Sequence, residues 1–210
     1  MSRYLTEFVG TAFFVLTIGL VVTAEHPMAP LIIGSALMVV VYMGAHISGA
    51  HYNPAVTLAL FLRGKMRRAD LLPYWGAQVL GALTGAYLSR MFMDRTFTLA
   101  PAATAGTGVV LLIEALYTAL LALVVLNCAA REATKGNSYF GLAIGFTIVI
   151  AAFAGGPISG GAFNPAVGTG AIVINTLSGE GSLKDLWFYL VGPFAGAALA
   201  AVVFKLQGES

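Results

Sequence analysis

The stretch ISGAHYNPAV, residues 47–56, returns later in the chain as ISGGAFNPAV, residues 158–167. Each copy ends in an Asn-Pro-Ala motif followed by Val. Asn accepts backbone N–H bonds at a helix N-cap, and Pro suits the first helical position because no N–H is needed there. Each copy therefore predicts a short helix that begins at its Pro, over residues 54–62 and 165–176. One copy alone would indicate only a helix cap, whereas two copies with matching flanks indicate a duplicated functional element.

The composition is that of a membrane protein. Of 210 residues, 59% are hydrophobic and 10% are charged, and the mean hydropathy is +0.87. Soluble domains carry roughly 25% charged residues, and a spanning helix needs about 20 mostly apolar ones. Six hydrophobic stretches are long enough to predict spans and leave no room for a soluble domain: about 4–23, 30–46, 71–92, 106–128, 139–156 and 185–205.

The two halves of the chain resemble each other beyond the Asn-Pro-Ala motifs. The first span contains EFVGTA from Glu7, and the fourth contains EALYTA from Glu114. We divide the chain into residues 1–105 and 106–210, with three spans and one short helix in each half. An odd number of spans per half requires the second half to be inverted, and such folds place their sites near the midplane.

Basic residues predict the orientation. Eight of the eleven Lys and Arg residues fall on the side that holds both termini: Arg3, Arg63, Lys65, Arg67, Arg68, Arg131, Lys135 and Lys205. By the positive-inside rule we expect both termini to lie in the cytoplasm. The expected location is the inner membrane of the cell.

No removable signal peptide is evident. Cys128 is the only cysteine, so no internal disulfide can form, and a net charge of +2 gives no indication of nucleic-acid binding.

The segments before the two Asn residues are rich in glycine and lie at membrane depth. Irregular backbone is tolerated there only if protein buries it or if it lines a water-filled cavity. We therefore expect carbonyls facing a pore, contributed by Gly49, Ala50, His51, Gly160, Gly161, Ala162 and Phe163. The positive ends of two short helices meet at the centre and repel cations. Each Asn amide, with its oxygen held by the cap, offers N–H groups to a polar solute.

At these residues the chain resembles the aquaporin, or major intrinsic protein, family. The resemblance rests on residues 46–57, the second motif at Asn164-Pro165-Ala166, the two glutamates and residues 74–78, and it covers essentially the whole chain. It implies an all-α membrane fold of six spans and two re-entrant half-helices. It also implies a homotetramer in lipid, with one pore per subunit for water or small uncharged solutes. The Asn residues of the first motif, Asn53-Pro54-Ala55, and of the second would then be the central hydrogen-bond donors.

One departure from the family concerns the outer constriction. Many members carry Arg directly after the second motif, where this chain has Val167, and the other constriction positions correspond to Ile33, Ala152 and Gly161. Such a filter is expected to be wide and apolar, as in some plant vacuolar and metalloid-conducting bacterial members. The expected cargo is glycerol, urea, ammonia, hydrogen peroxide or neutral metalloid acids, besides water. The alternatives are that another residue replaces the Arg, or that the channel is water-selective.

Two intramembrane carboxylates, Glu7 and Glu114, leave a second function open. A carboxylate at this depth suggests proton relay by default, which would make the protein a proton-coupled secondary transporter. Their matching positions favour another role, that of bracing the pore loops as in the family. A structural junction protein with a closed pore is a further alternative. His46 and His51 have no third ligand and no nearby Cys, so we expect no metal site. No nucleophile–base pair or metal cluster appears among the spans, so we also expect no cofactor and no enzymatic activity.

Overall fold

The computed structural model describes residues 1–208, and the regular elements in that range are helices. In chain order they are α1 (Ser2–Thr23), α2 (Ala29–Ser48), α3 (Pro54–Leu62), α4 (Leu71–Met93), α5 (Thr107–Cys128), α6 (Phe140–Ala154), α7 (Gly156–Ser159), α8 (Pro165–Leu177) and α9 (Phe188–Leu206). Successive long helices cross the membrane in opposite directions. We call the end where α1 begins and α9 ends the termini side, and the opposite end the far side.

The long helices form the membrane-spanning part. Four stretches are long and apolar enough to cross a bilayer by themselves: Ser2–Thr23, Ala29–Ser48, Thr107–Cys128 and Leu183–Leu206. Helix α4 has the length, with 23 residues, but carries the polar side chains of Gln78 and Arg90. Helix α6 has only 15 residues, and α7 continues its path after a break at Gly155. Together the six long helices and two half-helices make an all-α membrane fold of two inverted halves.

The same helix pairs pack in both halves. Helix α1 packs on α4, and α5 packs on α9 in the corresponding position. Glycines allow the close approach, since a Cβ atom at Gly81 would clash with the carbonyl of Phe8 and one at Gly196 with the carbonyl of Ala115. Small residues at such contacts let helix backbones come together in a membrane, where van der Waals packing drives association.

The half-helices α3 and α8 interlock the two halves. Helix α3 packs mainly against α9 of the second half, while α8 packs mainly against α4 of the first. The residues at their N-terminal ends, Asn53 to Ala55 and Asn164 to Ala166, are all buried. The fold thereby brings the two Asn-Pro-Ala motifs together in the middle of the helix bundle.

Candidate functional site

The two Asn side chains cap the half-helices and also join them. Asn53 Oδ1 accepts from the N–H of Ala55 at 2.8 Å, and Asn164 Oδ1 accepts from that of Ala166 at 2.9 Å. Each amide nitrogen then donates to a carbonyl of the opposite loop. Asn53 Nδ2 donates to Phe163 O and Asn164 Nδ2 to Tyr52 O, both at 2.9 Å.

This reciprocal pair changes one expectation from the sequence. A side-chain amide has two N–H groups, and one N–H of each Asn already serves the opposite loop. Only the second N–H of Asn53 and of Asn164 remains for a solute. The carbonyl of Phe163, expected to face a pore, accepts the bond from Asn53 and has one acceptor position left.

Both loops use the left-handed backbone region at matching positions. The φ angles are 88° at Gly49, 51° at Ala50 and 48° at Tyr52 in the first loop. The second loop has 90° at Gly160, 75° at Gly161 and 49° at Phe163. This conformation costs residues with a Cβ roughly 1–2 kcal/mol each, so it persists only where surrounding contacts hold it.

Glu7 supplies such contacts to the first loop. Its carboxylate has no exposed surface and accepts from Ser48 Oγ at 2.7 Å, His51 N at 3.0 Å and Tyr52 N at 2.7 Å. Glu114 repeats the pattern for the second loop, from Ser159 Oγ at 2.7 Å, Ala162 N at 3.1 Å and Phe163 N at 2.7 Å. Each carboxylate thus satisfies two backbone N–H groups that no helix serves.

The first loop carries a polar network with no equivalent in the second. Gln78 Nε2 donates to Glu7 Oε2 at 2.8 Å and to Thr57 Oγ1 at 2.9 Å. Thr57 Oγ1 also lies 3.1 Å from His51 Nδ1. Aligning the halves by their flanks places Pro193, Gly168 and Ala162 at the positions of Gln78, Thr57 and His51. The alignment would have revealed this asymmetry from the sequence.

A cavity of about 170 Å³ runs along both motifs. Its wall includes Asn53 and Asn164, the constriction positions inferred from the resemblance, and most of the expected carbonyl-bearing loop residues: Ile33, Ala152, Gly161, Val167, Ala50, His51, Gly160, Ala162 and Phe163. Gly49 is not part of this wall. It is exposed and ends α2 as its left-handed C-cap.

Much of the cavity wall consists of apolar residues on helices, and of these the sequence pattern indicated only Ile33, Ala152 and Val167. Most of them occur at four-residue spacing on four helices, which places each set on one helix face. The sets are Phe14, Ile18 and Val22 on α1; Ile33, Leu37 and Val41 on α2; Leu121 and Val125 on α5; and Ile144, Ile148 and Ala152 on α6. The wall residues within the described part of the chain include no Lys, Arg, Asp or Glu.

A loop between α4 and α5 also reaches the cavity, at the far side. Phe97, Thr98 and Leu99 contribute to the wall, and we call this segment the far-side strap. Thr96, just before it, donates to Glu180 Oε2 from its hydroxyl at 2.7 Å and from its backbone N–H at 3.0 Å. These bonds lower the pKa of the Glu180 carboxyl. The sequence offered no signal for this contact, because Thr96 and Glu180 are remote in the chain and surrounded by turn residues.

Within residues 1–208, no three His, Cys, Asp or Glu side chains lie together in a way that could hold a metal ion. His51 is partly exposed in the cavity wall, whereas His46 is not part of it. The groups available at the site include amide N–H groups, carbonyl oxygens, the His51 ring, the Thr98 hydroxyl and apolar surface.

An all-helical membrane bundle with two inverted halves, whose half-helices meet end to end beside a cavity, defines the class of this protein. The chain belongs to the major intrinsic protein family, since the model of that family, "Major intrinsic protein", matches residues 1–204.

Comparison with individual proteins agrees with this assignment. The chain is 34% identical to "Glycerol uptake facilitator protein-like 6" of Lactiplantibacillus plantarum, over 100% of this chain and 99% of that protein. It is also 34% identical to "Probable aquaporin NIP4-2" of Arabidopsis thaliana, over 98% of this chain and 74% of that one. Among solved structures, the aquaglyceroporin from Plasmodium falciparum superposes with a TM-score of 0.85 at 21% identity, covering 97% of this chain and 95% of that one. The superposition supports the fold.

Proposed function

We propose that this protein is a passive channel for water and small uncharged solutes. The observation that carries the proposal is the cavity that passes both half-helix N-termini with no charged side chain in its described wall. A charged solute would lose its hydration there without compensation, which is costly in a low-dielectric environment. Two half-helix dipoles pointing their positive ends at the same place add a barrier to cations. Similarity to a glycerol uptake facilitator and to an aquaporin supports the same solute class.

We further propose that Ile33, Ala152, Gly161 and Val167 form the far-side constriction and make it wide and apolar. Val167 is 3% exposed and lines the cavity in the first turn of α8. An Arg there would add a long side chain with a permanent charge and five N–H donors. With Val, the proposed cargo extends beyond water to glycerol, urea, ammonia, hydrogen peroxide and undissociated metalloid acids.

The test is paired permeability in liposomes. Stopped-flow light scattering measures water and urea or glycerol permeability for native protein, Val167→Arg and the matched control Val167→Thr, which keeps the shape without charge. We expect native protein to pass the solute well above lipid leak. Val167→Arg should lower solute flux far more than water flux, and Val167→Thr should not. Native protein that passes water alone, or an unchanged solute-to-water ratio in Val167→Arg, would contradict the wide constriction.

The glutamates give no support to a proton-coupled transporter. Glu7 and Glu114 are fully buried and are absent from the described cavity wall. Their oxygens accept bonds from loop backbone and serine hydroxyls, so we assign them a bracing role. Uptake that saturates and follows an imposed pH gradient would reverse this assignment, and a lack of any flux from purified protein would indicate a closed structural pore.

We propose that the protein forms a homotetramer embedded in lipid. We also propose that both termini lie in the cytoplasm and that the repeat halves are residues 1–105 and 106–210. The concentration of basic residues near the termini side supports this orientation. Single cysteines in a Cys128→Ser background test it. Arg67→Cys and Lys135→Cys should react with a membrane-impermeant reagent only from the cytoplasm, and Thr98→Cys only from outside. Reaction of Arg67→Cys and Thr98→Cys from the same side would refute the inverted arrangement.

A further inference from the structure

The internal repeat matches the two loops position by position. Asn164 follows Asn53 by 111 residues, and the same offset pairs Ser48 with Ser159. The hydroxyls of these serines donate to Glu7 and Glu114 at 2.7 Å in both halves, and the caps and φ angles described above also match. A position that lines the cavity on the far side therefore has a counterpart 111 residues away on the termini side.

Applying this offset to the far-side constriction gives a second set of four residues. Ile33 pairs with Ile144, Ala152 with Val41, Gly161 with Ala50 and Val167 with Val56. All eight residues line the same cavity. Ile33 lies near the start of α2 at the far side, and Ile144 lies near the start of α6 at the termini side. The second set thus surrounds the opposite mouth.

The termini-side set has larger side chains. The pairs of Ile and of Val are identical in the two sets, but Val41 has two carbon atoms more than Ala152, and Ala50 has one more than Gly161. The neighbouring pair differs in the same direction, because His51 on the termini side corresponds to Ala162 on the far side.

The exposure of these residues to water agrees with this difference in size. On the termini side, Val41, Ala50, Val56 and Ile144 are 2%, 7%, 1% and 5% exposed. On the far side, Ile33, Ala152 and Gly161 are each partly exposed, and only Val167 is buried. Less of the surface of the termini-side set is therefore open to water than of the far-side set.

We infer that Val41, Ala50, Val56 and Ile144 form a second constriction and that this constriction, rather than the far-side one, sets the largest neutral solute that permeates. The inference rests on the proposed function as a solute channel. Replacement of Arg by Val in the far-side set leaves that mouth the wider of the two, so size selection passes to the narrower mirror set. The solutes concerned are linear polyols, which differ by single CHOH units.

The far-side strap is the competing limit. Phe97 lines the cavity, but it is only 4% exposed, and its ring lies close to Gly19 of α1, where an added Cβ would approach the ring to 3.0 Å. The ring is therefore packed against α1, so its removal tests the strap without altering either constriction set.

The experiment compares erythritol and glycerol permeability in liposomes, with water permeability measured for each variant. The widening variants are Val41→Ala and Ala50→Gly, alone and together. Ala50→Gly is expected to fold normally, because Ala50 has a φ of 51°, a region where glycine is at ease. The mirrored control is Ala152→Val, which makes the far-side set resemble the termini-side set. Phe97→Ala tests the strap.

We expect the double variant to raise the ratio of erythritol to glycerol permeability by about tenfold or more, the range that one methylene unit controls in a tight apolar pocket. Ala50→Gly alone should also raise the ratio of erythritol to glycerol permeability. Phe97→Ala should leave the ratio unchanged, and Ala152→Val, at a residue of the far-side constriction, should change it less than the double variant does. An unchanged ratio in the double variant, or a ratio that responds instead to Ala152→Val or Phe97→Ala, would overturn the inference.

The outcome also separates this inference from the proposed function. Should native protein pass water but no glycerol, the proposal of a wide solute channel fails. A gain of glycerol flux in the double variant would then still support the termini-side limit, and no gain would overturn it as well.

Discussion

Removing the carboxylate of Glu114 should both destabilise the protein and disorder the second loop. The change Glu114→Ala leaves the backbone N–H groups of Ala162 and Phe163 and the hydroxyl of Ser159 without their acceptor. Glu114 is fully buried, so water does not replace it without rearrangement. An unsatisfied buried donor costs about 1–3 kcal/mol, so the two backbone groups together cost about 2–6 kcal/mol.

Thermal unfolding of the purified protein in detergent measures this loss, and liposome permeability measures its effect on the cavity. Glu114→Gln is the matched control, because it has the same shape but offers only one acceptor oxygen. We expect its unfolding midpoint to fall less than that of Glu114→Ala. Glu7→Ala should lose at least as much as Glu114→Ala, since Glu7 accepts a fourth bond from Gln78 at 2.8 Å.

A Glu114→Ala variant that unfolds at the native temperature and conducts as the native protein does would contradict this bracing role. In that case the loop would hold its left-handed residues without the carboxylate. A different failure is also informative: native stability in Glu114→Gln combined with loss of uptake driven by a pH gradient would identify Glu114 as a proton carrier.

Three other changes test separate parts of the structure. Asn164→Ala should lose a cap worth about 1 kcal/mol and a central donor, so that flux per folded channel changes markedly; normal folding with native flux and selectivity would reduce Asn164 to a cap. Asp70→Asn should lower the unfolding temperature by about 2–4 °C at pH 7, since Asp70 is 4% exposed and bonds to Arg67 hold its pKa below the ordinary value. A depressed pKa stabilises the fold above the unfolded pKa of about 3.9. The difference in unfolding temperature between Asp70→Asn and native protein should therefore vanish as the pH falls through the folded-state pKa. A difference that stays constant with pH would show that charge is not the cause. Gly196→Ala should overpack α9 against the carbonyl of Ala115 and cost about 1–3 kcal/mol, and an unchanged unfolding temperature would contradict the close contact.

Local sequence signals were sufficient for the helices and their caps. Asn followed by Pro specifies a helix start from the chemistry of two adjacent residues, and the structure begins α3 at Pro54 and α8 at Pro165. Apolar stretches of spanning length indicated the long helices in the same way. The length of α6 was not predictable, because the apolar run continues through Gly155 while the helix is interrupted there.

Contacts between the halves were beyond the reach of such signals. The bond from Asn53 to Phe163 joins residues 110 apart, and no residue type announces it, since any backbone carbonyl could accept. The strap is a second case, because the tie between Thr96 and Glu180 depends on how two loops meet. The sequence therefore indicated both Asn residues as helix caps, but it did not show that one N–H of each donates to the opposite loop.

The structure separates the groups that fix the fold from those proposed to select solutes. Several hydrogen bonds inside the protein are made by each of four residues, Asn53, Asn164 and the two glutamates. A change at any of them therefore lowers the stability of the fold in addition to any effect on selectivity. Side chains at the two constrictions are apolar and make no such bonds. Volume changes at residues that face a cavity, such as Ala152 and Val41, displace no packed neighbour on the cavity side and remove no hydrogen bond. Single substitutions at either mouth can therefore change solute selectivity while the hydrogen bonds at the two Asn residues stay the same. Because the repeat provides two mouths, such changes can occur at each mouth independently.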